Sequence, residues 1–438
     1  MKFYFYTIYQ FFRSKSIGYP ISPNQIFKFL LKSQYWRREA MRNYQLEKLN
    51  DLIKFSNESS RYYSKSYENK DLILSKLNEL PFKIPLTNKK EIIENYQEIK
   101  TKNFTDKHKH ATSGSTGEPL VTYISGLAEA HREACRMRFR SWWGIKEYDK
   151  SVYIGRAYSI DDGTLIFKIK RYLRHRLDID IFDLSDNTIV KYYNQIEKFK
   201  PVFIRGYKSG ILEFAELMDK NNLRFNNFKL KVAIVTAEAL FENERRYIEK
   251  ILNCKVANEY GAVEAGLFAC ECPAGSMHIN EESAYIYTNN QNEAIVTELF
   301  NDSIPLVNYK NDDLIIISDD YCNCGKTSRI IKEVQGRVSG YIEKPDGSKI
   351  NQLIIPIIFR KFYEDKFKSM IRRYKVIQDA QTFTIKIIPL DNYNSECEEY
   401  LRTRMFEEIG RDISVNFEIV NEIKRGKNGK FTFFERNN

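Results

Sequence analysis

The spacing of apolar positions changes character along the chain, and each change marks an element. Over residues 25–57 it is helical, with Ile26, Phe29 and Leu30 in one set and Leu46, Leu49, Leu52, Ile53 and Phe55 in another. A proline-punctuated connector, Leu80-Pro81-Phe82-Lys83-Ile84-Pro85-Leu86, follows, and residues 90–96 start a further helix for which Thr87 or Asn88 supplies the cap. These elements predict a helical preface over residues 1–100. Beyond them helices and strands alternate: a helix at 127–143, a strand at 151–155, a helix at 187–199 stopped by Pro201, a strand at 202–204, a helix at 211–219, a continuous apolar strand at 232–235 and a helix at 242–252. That succession predicts an α/β fold with mostly parallel sheets covered on both faces. In such sheets the ligand crevice lies beyond the carboxyl ends of the strands.

Three polar clusters fall at those ends: Arg205-Gly206-Tyr207, Thr236-Ala237-Glu238, and Glu259-Tyr260-Gly261-Ala262-Val263-Glu264 after the strand-like Lys255-Val256-Ala257. Each alone reads equally well as a solvated turn. Together they outline one site. Further on, residues 294–299 read as a strand, and Tyr309-Lys310-Asn311-Asp312-Asp313 leads to the apolar Ile315-Ile316-Ile317. Past Gly336-Arg337 the composition shifts. Phe383, Ile385 and Ile387 alternate along a strand, Ser395 and Glu398 form a capping box before a helix carrying Leu401, Met405 and Ile409, and residues 415–420 close a β-β-α-β unit. The predicted division is a large domain over 1–338 and a small mobile α+β domain over 339–438, with Ser339-Gly340 near the hinge.

Composition narrows the class. A hydrophobic share of 42% with 14% aromatics supports a packed interior and excludes a disordered chain. The balance of 69 basic against 58 acidic residues leaves +11, which suits anionic ligands. The basic residues are scattered and form no recognisable nucleic-acid module, so nucleic acid is not an expected partner. No run approaches the ~20 apolar residues of a membrane span. The aromatic stretch at 1–12, with Arg13 and Lys15 behind it, is expected to pack on its own domain, with peripheral membrane contact as the lesser reading. Seven cysteines in a chain this long make no disulfide scaffold, and a reducing cytoplasm is the expected compartment.

The candidate chemistry centres on Thr112-Ser113-Gly114-Ser115-Thr116-Gly117-Glu118-Pro119, just before the strand-like Leu120-Val121-Thr122-Tyr123-Ile124. Glycines let successive backbone N–H groups converge on an anion, and Ser113, Ser115 and Thr116 add hydroxyl donors, so the loop reads as a phosphate cradle. No Gly-Lys-Ser/Thr follows, so it is not a Walker A loop, and no Gly-x-Ser-x-Gly elbow marks a hydrolase serine.

This loop closely resembles the signature loop of adenylate-forming enzymes, the acyl- and aryl-CoA ligases and their relatives, where it holds the outer phosphates of ATP. The likeness runs over residues 45–431 and is greatest to the phenylacetate-CoA ligase branch that includes the CapK-like capsular-polysaccharide proteins. It implies ATP-binding roles for Thr112, Ser113, Gly114, Ser115, Thr116 and Gly117. Ala237 and Glu238 resemble the segment facing adenine, and Glu259, Tyr260 and Gly261 lead to Glu264, whose counterpart helps hold Mg²⁺. Asp313 stands where the family binds the ribose hydroxyls, with Asp312 replacing a glycine, and Arg337 lies near ribose or phosphate. Gly429-Lys430-Phe431 is similar to the terminal Gly-Lys motif and makes Lys430 the catalytic lysine; by itself that lysine reads as part of a basic tail. Catalysis is thus expected from Lys430, Glu264 and Thr116.

The implied reaction is attack of a carboxylate on the α-phosphate of ATP, followed by acyl transfer to CoA or an amine, with surface polysaccharide as a destination. Two anions meet in that step, which is why cations and oriented donors are needed where charge builds up. Trp142, Trp143, Tyr153, Arg156, Tyr158, Arg205 and Tyr207 are expected to line the acyl pocket, and their arginines point toward a polar or acidic small carboxylate. Cys270-Glu271-Cys272, His278 and Cys322-Asn323-Cys324 carry a separate signal, since thiolates with an imidazole hold tetrahedral Zn²⁺ when the chain brings them together. The branch often has this arrangement. The expected ligands of a structural zinc are Cys272, His278, Cys322 and Cys324, with Cys270 the spare thiol. The competing reading is a basic protein that binds nucleic acid or a membrane surface on a ligase-like fold without its chemistry.

Overall fold

The structure, a computed structural model, describes residues 18–105, 108–111, 120–156, 175–337, 340–365, 367, 370–426 and 429–437. Two helices open it, α1 (Pro23–Ser33) and α2 (Arg38–Ser59), followed by the short α3 (Arg61–Ser66), α4 (Leu80–Lys83), α5 (Lys89–Glu94) and α6 (Tyr96–Ile99). Asn88 caps α5, its side chain accepting the Glu91 N–H. A two-stranded ribbon of β1 (Lys109–Ala111) and β2 (Val121–Tyr123) leads to α7 (Gly126–Trp142), capped by Ser125.

The alternation that follows is β3 (Ser151–Gly155), β4 (Arg176–Asp180), α8 (Ile189–Phe199), β5 (Phe203–Tyr207), α9 (Lys208–Lys220), β6 (Val232–Thr236), α10 (Glu242–Leu252) and β7 (Lys255–Ala262). Then come β8 (Gly266–Glu271), β9 (Met277–Ile279), β10 (Ala284–Thr288), β11 (Glu293–Glu298), β12 (Tyr309–Ser318) and β13 (Ile330–Arg337). All of these strands join one sheet of eleven, in the order β10-β11-β12-β13-β9-β8-β7-β6-β5-β3-β4. The half from β4 to β7 is parallel, as the helical crossovers require, and the half from β8 to β10 is antiparallel. Strand β7 outlasts its apolar run because β8 folds back on it, pairing Glu259 with Cys270. The polar cluster expected after that strand therefore begins inside it.

One face of the parallel half carries the largest cluster, in which Ile154, Ile179, Ile204, Val235 and Val256 meet Ile196, Phe214 and Ile248 of α8, α9 and α10. The other face packs Phe203, Ile234 and Ala257 against Phe139 of α7. Helices on both faces are what continuously apolar strands demand.

A second body follows: β14 (Tyr341–Glu343), β15 (Lys349–Asn351), α11 (Ile354–Glu364), β16 (Ile371–Asp379), β17 (Thr382–Pro389), α12 (Ser395–Ile409), β18 (Ser414–Ile419) and β19 (Phe434–Asn437). Its four-stranded sheet runs β18-β17-β16-β19 and has its own core, in which Phe359, Phe362, Phe383, Ile385, Leu401 and Met405 interlock. The cap of α12 is Asn394, which accepts the Glu396 N–H, and not the Ser395 that the capping-box reading selected; Ser395 is already the first helical residue.

Candidate active site and metal centre

A cleft of about 1710 Å³ lies beyond the carboxyl ends of the parallel strands, where the second body closes over the sheet. It is lined by Tyr153, Arg205, Tyr207, Ala237, Glu238, Glu259, Tyr260, Gly261, Glu264, Asp313, Arg337 and Lys430. The loop at 112–119, including Thr116, and Tyr158 lie outside the described residues, as does the stretch at 1–17.

Asp313 and Arg337 face each other across β12 and β13, which brings Arg337 Nε to 3.2 Å from Asp313 Oδ1. The other carboxylate oxygen accepts the Tyr260 hydroxyl at 2.9 Å and the Asn311 amide at 2.7 Å. Burial pushes the Asp313 carboxyl up, against the opposing pull of Arg337. Asp312, where a glycine was expected, sits at φ +58°, so the aspartate adopts the left-handed turn a glycine would take. Ala237 is also left-handed at φ +71°, a costly conformation for a residue with a Cβ and one that concentrates at ligand sites.

Glu264 is buried, with the Tyr309 hydroxyl 3.5 Å from its carboxylate. The turn that carries it is held by Arg132 of α7, which donates to the carbonyls of Val263 at 3.0 Å and Glu264 at 3.3 Å while paired twice with Glu298. Periodicity hides that role, since Arg132 reads as one more charge on a helix. A lone carboxylate facing a cleft fits Mg²⁺, which takes one or two protein carboxylates and completes its shell with phosphate and water.

Lys430 enters from the second body, its Nζ 5.7 Å from the centre of the Tyr207 ring. Burial draws its pKa down, opposed by Glu238. The segment carrying it docks through Arg425, which donates to Ser209 Oγ at 2.8 Å and the Ser209 carbonyl at 3.1 Å and pairs with Glu213. Arg373 pairs with Glu216 at 3.2 Å, and the Arg373 and Arg425 guanidinium groups flank the Phe431 ring at 3.9 and 4.2 Å. Gly429, at φ +80°, lies against Ile181, whose Cδ1 would stand 2.4 Å from any Cβ there. Only a glycine lets the loop come this close. Glu238 accepts the Ser209 N–H and hydroxyl, both at 2.8 Å, and so anchors the first turn of α9.

Glu259 lines the cleft from the face of β7 opposite Tyr260, as half of a two-point pair with Arg205. Two expectations need correction. Trp142 does not line the cleft. Its indole donates to Gln34 Oε1 at 2.9 Å and its ring stands 5.7 Å from His278. Arg156 is exposed and lies outside the cleft lining.

Elsewhere, the thiols of Cys272, Cys322 and Cys324 and a ring nitrogen of His278 all lie within 4.8 Å of one another. Cys272 and Cys322 stand 3.7 Å apart, and Cys324 Sγ is 3.2 Å from His278 Nε2. The other imidazole nitrogen meets Ser328 Oγ at 3.1 Å, which orients the ring toward the thiols. Burial holds the His278 pKa down to about 4, so the ring is neutral near pH 7, and burial pushes the Cys272 thiol up to about 12. Three sulfurs and one imidazole at these separations fit a tetrahedral zinc with no open position. Cys270 packs in the apolar cluster under α7.

The CapK C-terminal domain family matches residues 342–437. Protein CapK of Staphylococcus aureus is 24% identical over 430 residues, covering 93% of this chain and 94% of that protein. Phenylacetate-coenzyme A ligase of Pseudomonas putida is 26% identical over 298 residues, 63% of this chain and 66% of the relative. Among solved structures, 2-hydroxyisobutyryl-CoA ligase in its postadenylation state superposes with a TM-score of 0.70 at 16% identity, over 90% of this chain and 89% of that one. In its thioesterification state the same ligase gives 0.59 at 17% identity, over 92% and 93%. Residues 342–437 thus belong to the CapK C-terminal domain family, while the chain as a whole is similar to CapK and to phenylacetate-coenzyme A ligase and shares the fold of the 2-hydroxyisobutyryl-CoA ligase.

Proposed function

We propose that the protein is an AMP-forming acid ligase: it joins a small carboxylate to the α-phosphate of ATP, releases pyrophosphate, and passes the acyl group to CoA or an amine. The observation that carries this reading is the convergence of Glu264, Asp313 and Arg337 from the large sheet with Lys430 from the second body in one cleft.

Asp313 would accept the ribose hydroxyls, and its contacts with Tyr260, Asn311 and Arg337, which fix the carboxylate, support that role. Mg²⁺ at Glu264 would neutralise phosphate charge when bound. As the substrate oxygen bonds to phosphorus and the bond to the pyrophosphate oxygen breaks, negative charge gathers on the transferring group, and the Lys430 ammonium supplies a donor there. No nucleophilic side chain is needed. The second step breaks the acyl–phosphate bond, expels AMP and forms a thioester or amide. The four thiol and imidazole groups are proposed to hold a structural Zn²⁺. A destination in surface polysaccharide rests on the CapK likeness and is decided by the identity of the acceptor.

The test is carboxylate-dependent exchange of labelled pyrophosphate into ATP, with hydroxylamine trapping across a panel of acids. The expected nucleotide product is AMP; turnover yielding ADP and phosphate refutes the reading.

A further inference from the structure

Resting on that ligase reading, we propose that the acyl end of the cleft is built for a small carboxylic acid whose far end is uncharged and hydroxylated, in preference to an aryl, alkyl, dicarboxylic or amino acid.

The argument starts from strand register. In the parallel half of the sheet Tyr153 pairs with Arg205, Tyr207 with Thr236 and Thr236 with Glu259. Paired positions of a parallel sheet point to the same face, so these five side chains form one floor. Facing them from α7 are Glu129, Arg132 and Arg136, spaced three and four residues apart on one side of the helix. Beneath this layer the same face becomes apolar, with Phe203, Ile234, Ala257 and Phe139. The apolar surface therefore stops short of the cleft, and a polar layer separates the two.

The charges of that layer cancel. Arg136 is 2.8 Å from Glu133 and 3.3 Å from Glu129, Arg140 is 3.6 Å from Glu133, Arg205 pairs with Glu259, and Arg132 with Glu298. Burial alone would raise Glu259, but Arg205, with Arg136 and Arg140 behind it, holds its pKa below the usual range, so the pair stays ionised. With each arginine of this layer matched by a glutamate, neither a second carboxylate nor an ammonium on the substrate meets an uncompensated counter-charge among the described residues of the layer. The preference for an acidic substrate suggested by the arginines is thereby removed. What remains is hydrogen bonding of both senses: guanidinium donors, carboxylate acceptors and the Thr236 hydroxyl. A substrate hydroxyl both donates and accepts, so it can satisfy either kind. A hydrocarbon end would strip water from these groups and return nothing.

The experiment is pyrophosphate exchange by the full chain with glycerate, 3-hydroxybutyrate, gluconate and glucuronate against the alkyl acids of the same carbon number, propionate, butyrate and hexanoate, with benzoate and phenylacetate as aryl acids and succinate and β-alanine as charged controls. Hydroxylated acids are expected to exceed their hydrocarbon counterparts by about 10²-fold or more in kcat/KM. Thr236→Val, which keeps the volume, is expected to cost hydroxylated acids about tenfold and hydrocarbon acids nothing. Replacing Arg205 and Glu259 together by leucine, so that neither charge is left alone, should move the preference toward hydrocarbon acids while the thermal shift induced by ATP persists. Equal or better exchange with aryl, alkyl, dicarboxylic or amino acids overturns the substrate class and leaves the ligase standing. Equal loss for both groups of acids in Thr236→Val also overturns it. No exchange with any acid overturns the ligase reading and this proposal with it.

Discussion

Removing one ligand of the sulfur–imidazole cluster tests whether it is a metal centre. In a tetrahedron with Zn–S bonds of ~2.3 Å the sulfurs stand ~3.8 Å apart, and Cys272 and Cys322 stand 3.7 Å apart. Those cysteines are 50 residues apart in sequence, so the metal closes a long loop. In the chain-entropy treatment a cross-link of about 50 residues contributes ~4 kcal/mol. Unfolding entropy of ~2.1 cal/mol/K per residue over a domain of this size amounts to roughly 0.7 kcal/mol/K, so Cys324→Ser or chelation should lower Tm by ~6 °C. The segment between β12 and β13 is also gripped by Arg38, which donates to the Thr327 carbonyl at 3.0 Å and to that of Asp319, so loosening should stay local to this corner. All three tryptophans report on it: the Trp36 carbonyl accepts the Thr327 hydroxyl at 2.6 Å, Trp142 lies 5.7 Å from His278, and Trp143 donates to the Glu271 carbonyl at 2.9 Å. Elemental analysis of protein purified without added metal should find about one zinc per chain, with tryptophan emission shifting as a chelator removes it. Cys270→Ser should leave that stoichiometry intact. Zinc-free protein whose melting and emission ignore both chelator and Cys324→Ser would refute the reasoning.

Lys430→Ala should lower pyrophosphate exchange by ~10²–10³ while equilibrium dialysis gives an unchanged Kd for ATP, because the lysine belongs to the second body. Arg425→Ala should cut exchange by about tenfold or more by releasing Lys430 from α9, and the double variant with Lys430→Ala should be no slower than Lys430→Ala alone; additive losses would give Arg425 a separate role. His131 is buried, stacked 3.5 Å from the Phe300 ring, and burial holds its pKa down to about 3 from 6.5. The unfolded chain therefore takes up the proton first, so stability is full above pH 6.5 and is lost as pH falls toward 3. The contribution of this residue is ~1.4 kcal/mol per pH unit, or ~2 kcal/mol by about pH 5, and urea midpoints of His131→Gln should show an acid limb flatter by that amount.

The parallel half of the sheet was legible from the sequence because the signals that specify it are local. Apolar runs at 151–155 and 232–235, helical spacing at 187–199 and the stop at Pro201 each act within a few residues. The motif residues Glu264, Asp313, Arg337 and Lys430 were legible for a similar reason, since their neighbours in the chain mark them. Tertiary structure alone decided what those residues face. A strand presents alternate residues to opposite sides, and partner strands far away in sequence determine what each side meets; so Tyr260 reaches Asp313 while Glu259, one residue earlier, turns to Arg205. That pairing converts Arg205, which looked like an anion receptor, into part of a neutral wall. Trp142 was misplaced because helical spacing marks a buried face without saying what buries it. The Gly-Lys-Phe motif marks Lys430 but not what holds it: Arg425 binds Ser209 and Glu213, more than two hundred residues away, and an ion pair between two bodies leaves no periodic trace in either.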